Sequence, residues 1–333
     1  MEIEIITDHY TEEDLQKYTV GAGIVPFMIS PQKEIFLILG KEKITPRWKG
    51  SDKWSGFEGG RKNPETVEET AAREFCEESL NCICVNTSSK QCLYSDILNM
   101  LQNKEYTLRL VFCTKQAKKC MQYHVTYVIQ VPFQINTTKK FMEKRIQLLQ
   151  LEEINRNLNN MSCDFLDGKP YMIEGMAYEK SIIKSIFKAY VQSDKLAILL
   201  QTETDQIYTY ESYIKDIKSA MKYTEWLNER NRLKKLINAI GEDSAYTVVW
   251  LNNTVNAVDI NDDYLEKQYI KNWSLSELKT VVHNCGFLNS EFYRVYFMPV
   301  LQQIIVQLEI LMHTTFIDYK SASLLHPKLM SSK

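Results

Sequence analysis

Residues Trp54–Cys84 read WSGFEGGRKNPETVEETAAREFCEESLNCIC. This is a glycine-rich loop running into an acidic helix. Gly59 and Gly60 permit a tight turn and a close backbone approach. Thr66 stands three residues before Glu69, the capping-box arrangement that opens a helix. Inside that helix, at ~100° per residue, Glu74, Glu77 and Glu78 span an arc of about 100°, so the three carboxylates share one face. Like charges crowded on a face repel, and the cluster costs stability unless a cation occupies it. Oxygen-only donors suit Mg²⁺ or Mn²⁺, hard ions that also bridge phosphate oxygens. Arg73 lies four residues from both Glu69 and Glu77 and can hold either carboxylate in place. The bland alternative, a solvated acidic face, does not call for this spacing of glycine, arginine and glutamate.

The segment resembles the signature of the Nudix hydrolase superfamily, G-x5-E-x7-R-E-U-x-E-E-x-G-U with U apolar. Gly59, Glu65, Arg73, Glu74, Phe75, Glu77 and Glu78 match it without a gap, within a box at residues 59–82. The match departs at Ser79-Leu80-Asn81-Cys82, where the family carries a glycine. That departure reads as a helix one residue longer, with Asn81 in the left-handed cap conformation and Cys82 at the apolar position. The resemblance covers roughly residues 18–160 and implies an α/β/α sandwich around a mixed sheet. It implies that Glu74, Glu77 and Glu78 ligate divalent cations, helped by the Gly59 carbonyl, that Arg73 orients a carboxylate, and that Glu65 supports the loop. Some family members take a further glutamate from a loop after the later strands, and Glu143 in KKFMEKRIQLL is the best placed here. The implied activity is Mg²⁺- or Mn²⁺-dependent hydrolysis of a nucleoside diphosphate linked to another moiety. In that chemistry the ion neutralises the diphosphate, water attacks one phosphorus, and a glutamate takes the proton.

Outward from the box the chain divides by composition. Nine of the 11 glycines and six of the eight prolines precede residue 179, so turns and strands belong to the first half and helices to the second. Gly23–Ile29 and Glu34–Gly40 read as a hairpin, and Tyr106–Thr114 and Tyr123–Val131 as two further strands. Ile146–Leu151 reads as a short strand before a helix to Asn159. Helical periodicity marks Glu179–Gln192, Tyr210–Tyr223 and Thr224–Ile240. Ser274-Leu-Ser-Glu277 is a second capping box, and Pro299 interrupts a long apolar face over Phe287–His313. The expected fold class is α+β: a sandwich domain over 1–175, then a mainly α-helical accessory domain over 176–333.

Hydrophobic residues make up 44% and charged residues 25% of the 333, which excludes a wholly disordered or collagen-like chain. No apolar run approaches the ~20 residues a membrane-spanning helix needs. The acidic start does not read as a secretory signal, and eight cysteines without a C-x-x-C pair fit reduced thiols in a cytosol-like compartment. A net charge of −2 disfavours a globally basic nucleic-acid binder but leaves room for a local patch. Lys41, Lys43, Arg47, Lys49 and Lys53, interleaved with Trp48 and Trp54, form such a patch, able to grip phosphates and stack a base. A solvated loop over one packed tryptophan is the competing account. Trp54 is expected to pack near the glycine loop. The Asn-, Lys- and Ile-rich character resembles AT-rich genomes, and Nudix proteins with appended domains occur in large DNA viruses, where some remove mRNA caps. The expected substrate is thus a small nucleotide, with capped RNA as the alternative and, if viral, the host cytoplasm as the location. A nucleotide-sensing scaffold is the third reading.

Overall fold

The computed structural model describes residues 2–6, 10–86, 93–115, 121–160, 171–173, 176–178, 225, 228–241, 243–251, 254–285 and 292–324. In chain order the elements are β1 (Glu2–Ile6), α1 (Glu12–Tyr18), β2 (Thr19–Ile29), β3 (Ile35–Glu42), β4 (Trp54–Ser55), β5 (Phe57–Gly60), α2 (Val67–Ser79), α3 (Tyr94–Gln102), β6 (Leu108–Lys115), β7 (Met121–Gln130) and α4 (Thr137–Asn160). Then follow β8 (Tyr171–Ile173), β9 (Met176–Tyr178), α5 (228–240), β10 (Tyr246–Leu251), β11 (Thr254–Ile260), β12 (Lys267–Ser274), α6 (Leu275–Cys285) and α7 (Phe297–Leu324), with a 3₁₀ turn at Asp262–Leu265.

The chain forms two compact units. One comprises Met1–Arg145 with Asp262–Lys333, and the other Ile146–Asn261. The first is built on a sheet ordered β1-β6-β7-β2-β3-β12, with β4 on β3 and β5 on β2. β2 and β7 run parallel and the other neighbours antiparallel, so the sheet is mixed. The hairpin expected from the sequence sets Phe27 opposite Leu37 and Ile29 opposite Ile35.

Alternation along the strands decides what covers each face. Phe57 and Gly59 face α2, where the Phe57 and Phe75 rings meet edge-on at 5.5 Å. Val25, Phe27, Leu37, Leu39 and Val128 lie on the opposite face and are buried against Phe297, Val300, Leu301 and Ile304 of α7. Each such side chain contributes about 1.5–3 kcal/mol when taken from water, so α7 is as much a part of this core as the strands. The result is an α/β/α arrangement within the α+β class. In the second unit, β10 and β11 form an antiparallel pair and β8 pairs with β9.

Several sequence expectations are corrected. The compact units do not divide near residue 175, because β12 hydrogen-bonds along β3, with Ile270 opposite Gly40 and Trp273 opposite Leu37. Beside the expected helices, the C-terminal half also supplies β10, β11 and β12. The strand and short helix expected over 146–159 are one helix, α4. Pro299 falls at the third residue of α7, in the first turn, where a missing N–H removes no helical bond, so it marks a start rather than a kink. The capping boxes are as read: Thr66 with Glu69, and Ser274 with Glu277. The helices expected at Glu179–Gln192 and Tyr210–Tyr223 lie outside the described residues.

Candidate metal centre

α2 begins at its capping box and carries the acidic residues towards β5. Arg73 organises them. Its Nε donates to Glu65 Oε1 at 2.6 Å and its Nη2 to Glu65 Oε2 at 3.1 Å and the Gly60 carbonyl at 2.9 Å. Its Nη1 donates to both Glu74 Oε1 at 2.6 Å and Glu77 Oε2 at 2.9 Å. Glu65 is further fixed by the Lys62 N–H and the Thr70 hydroxyl, each at 3.0 Å. One guanidinium thus faces three carboxylates and ties the glycine loop to the helix.

A Cβ at position 59 would lie 2.3 Å from the Glu74 carboxyl carbon, so any other residue there would displace that carboxyl. The Gly59 carbonyl lies beside Gly21 of β2, 2.8 Å from where a Cβ on that residue would stand. Burial pushes the Glu74 carboxyl up to about 7 against the pull of Arg73, with Glu77 and Glu266 adding to the rise. Burial also raises Glu77, opposed by Arg73 and Lys62. Arg73 thus takes Glu74 through Oε1 and Glu77 through Oε2. The remaining oxygen of each, on successive turns of α2, is the donor type a hard divalent ion would take. No group of three or more His, Cys, Asp or Glu converges to hold an ion by itself among the described residues.

Glu78 lies on the same helix but is engaged differently. Its Oε2 accepts the Glu58 N–H at 2.7 Å and its Oε1 lies 3.0 Å from Lys267 Nζ. Burial raises its carboxyl well above the ordinary range, with Lys267 opposing. Lys267 also donates to Glu42 Oε1 at 2.6 Å and Ser55 Oγ at 2.8 Å, and Glu42 in turn takes Arg294 Nη1 at 2.9 Å. Burial alone would raise Glu42, but Lys267 and Arg294 hold it below the ordinary carboxylate range.

On the α7 side of the sheet lies a pocket of about 150 Å³, lined among others by Glu58, Gly60, His124, Arg294 and Tyr296. Glu58 Oε1 is buried there without a hydrogen bond, and burial raises that carboxyl. The His124 ring lies flat against Phe112 at 5.2 Å and near-parallel to Tyr296 at 6.4 Å. Arg294 sits over the rings of Tyr296, at 4.3 Å, and Trp48, at 5.4 Å.

The structure brings Arg73, Glu74, Glu77 and Gly59 together and sets Glu78 beside them. Glu143 lies within α4 rather than on a loop, is mostly exposed, and pairs with Lys139 at 3.9 Å. Trp54 is buried, with its ring edge-on to Trp273 at 5.3 Å and its backbone bonded to Phe292 and Arg294, so its face is taken up by the core. Arg47, Trp48 and Lys49 are exposed, whereas Lys43 is half-buried with its N–H on the Glu266 carbonyl. Sequence reasoning missed Glu42, Glu58, Glu266, Lys267, Arg294 and Tyr296. The usable signal was the charge inside an otherwise strand-like run, EKQYIKNWS, directly before a capping box.

Comparison with solved structures returns Nudix hydrolases. The chain is similar to a Nudix hydrolase from M. smegmatis, RenU, at 13% identity and a TM-score of 0.25, over 35% of this chain and 63% of that one. It is also similar to a C. elegans Ap4A hydrolase, in a binary complex at 15% identity and a TM-score of 0.22 over 34% of this chain and 68% of that one, and in a second structure at 15% and 0.21 over 34% and 70%. The chain spans about 63% of the length of the first of these. These overlaps are too low to carry an argument about this chain. No family model and no curated protein sequence matches it. No described helix is long and apolar enough to cross a membrane.

Proposed function

We propose that the first unit is a Nudix-type pyrophosphohydrolase, dependent on Mg²⁺ or Mn²⁺, acting on a nucleoside diphosphate linked to another moiety. The observation that carries this reading is the Arg73 cluster, in which one guanidinium binds Glu65, Glu74, Glu77 and the Gly60 carbonyl at 2.6–3.1 Å and leaves the carboxylates short of positive charge. A divalent cation, when bound, would neutralise the diphosphate and make the attacking water more acidic. A glutamate would take the proton from that water. Arg73 holds Glu74 and Glu77 in register with the loop, and Gly59 allows the backbone to lie against them.

A second reading, removal of an mRNA cap, is favoured by Trp48. This ring is 42% exposed, lies between exposed Arg47 and Lys49, and has Arg294 from the pocket wall over its face. A panel of dinucleoside polyphosphates, nucleoside diphosphate conjugates and capped RNA, incubated with the full chain with and without Mg²⁺ or Mn²⁺, tests both. The expected result is metal-dependent scission of a phosphoanhydride, lost in Glu77→Gln. Turnover by Glu77→Gln equal to that of the native chain would refute the site, and cleavage of capped RNA alone would select the second reading.

A further inference from the structure

Lys267 is the one completely buried lysine among the described residues, and it comes from β12, far from the box in sequence. An ammonium has three donors. Lys267 Nζ has three acceptors: Glu42 Oε1 at 2.6 Å, Ser55 Oγ at 2.8 Å and Glu78 Oε1 at 3.0 Å. Glu78 is equally committed, because its other oxygen receives the Glu58 N–H at 2.7 Å. With Arg294 on Glu42, each of these two carboxylates is in direct contact with a cation of the chain itself. At Arg73 one guanidinium is shared among Glu65, Glu74 and Glu77, and Glu74 and Glu77 each meet it through a single oxygen.

We propose that Lys267 is a built-in cation that removes Glu78 from the set of metal ligands, so that the centre takes a single divalent ion through Glu74 and Glu77. Glu78 is then a positioning residue. Pinned by Lys267, it holds the Glu58 N–H and so fixes the backbone just before Gly59 and Gly60. This inference rests on the metal reading of the preceding section. It follows from hydrogen-bond capacity: a carboxylate with both oxygens in use, sealed from water beside an ammonium, has no free oxygen to offer a second ion.

The test is Mn²⁺ binding by the full chain, read from the electron paramagnetic resonance signal of the free ion, with thermal unfolding as the check on folding. The native chain should bind one Mn²⁺. Glu77→Gln should weaken that binding by about tenfold or more, while Glu78→Gln should keep it within a few-fold. Lys267→Met leaves two buried carboxylates to Arg294 and should either unfold or recover stability by taking a second Mn²⁺. The paired change Lys267→Met with Glu78→Gln removes the ammonium together with the carboxylate charge it holds, and should fold and bind one ion. Two or more ions on the native chain, or loss of binding in Glu78→Gln as large as in Glu77→Gln, would overturn the inference while leaving the metal reading intact. No Mn²⁺ binding by the native chain would overturn both.

Discussion

Glu74 gives the sharpest test of the centre, because its environment makes a signed statement about pH. The group titrates near 4.5 in an unfolded chain and is pushed up to about 7 in the folded one, by burial and by Glu77 and Glu266, against Arg73. The folded pKa is the higher, so between those values the folded state binds more protons than the unfolded. Stability therefore falls as pH rises from 4.5 through about 7. Above pH 7 the penalty reaches roughly 3 kcal/mol. At about 2–4 °C per kcal/mol for a body of this size, that is a melting-temperature difference of about 6–12 °C. Thermal unfolding of the full chain at about pH 5 and pH 8, with and without Mn²⁺, measures it against Glu74→Gln, which removes this titration and leaves the rest. The native chain should lose more stability than the variant on going to pH 8, and Mn²⁺ should return most of the loss in the native chain only. Parallel pH dependence in the two proteins, or equal stabilisation of both by Mn²⁺, would refute the placement of Glu74 at a cation-deficient centre.

Three further outcomes are expected. A chain cut after Gly175 lacks β12 and α7, which carry Lys267 and the Phe297–Leu308 face of the core, so circular dichroism and limited proteolysis should show it unfolded where the full chain is folded. Leu80 occupies the glycine position of the signature at φ 55 and is fully buried; Leu80→Gly relieves about 1 kcal/mol of backbone strain but forfeits about 3 kcal/mol of packing, a net loss near 2 kcal/mol by denaturant titration. If capped RNA is the substrate, replacing Lys43, Arg47 and Lys49 together by alanine should lower the salt dependence of RNA binding by about 2 in log–log slope, while cleavage of a free cap dinucleotide changes little.

The box helix, its capping box and the opening hairpin were legible because each rests on local rules that this chain obeys. The side chains of Thr66 and Glu69 cap α2 by each accepting the other's backbone N–H, and the β2–β3 pairing follows from alternation over a short turn. The end of α2 was only half legible. Asn81 does adopt the left-handed conformation, at φ 54, but so does Leu80, and the helix stops at Ser79 rather than running on. The apolar pull on a fully buried leucine outweighs its local preference, and a propensity argument does not contain that pull. β12 was not legible for a related reason. Its first residue is a lysine with no exposure, which reads as a surface position until Glu42 and Glu78 are known to wait for it.

The two charge clusters in this unit divide the work of the carboxylates. The Lys267–Arg294 cluster is sealed from water, and buried pairs of that kind contribute little net stability while fixing geometry closely. What it fixes is the Glu58 backbone, and through it the turn at Gly59 and Gly60 that lies against Glu74. The Arg73 cluster is short of positive charge, which is unfavourable for an empty protein and favourable for one that holds a cation. Separating the two needs a cation that the box does not encode. This chain obtains it from a residue 225 positions beyond Glu42, after the whole of the second unit has been traversed. The centre therefore depends on a contact of very long sequence separation, which forms only after the loop-closure entropy of that traverse has been overcome. In such a chain the acidic face of α2 can form early, but Glu78 is neutralised and the glycine turn fixed only when β12 has joined β3. On the proposed reading, the capacity to bind one ion, rather than an indefinite number on an open acidic face, belongs to the completed first unit and not to the box alone.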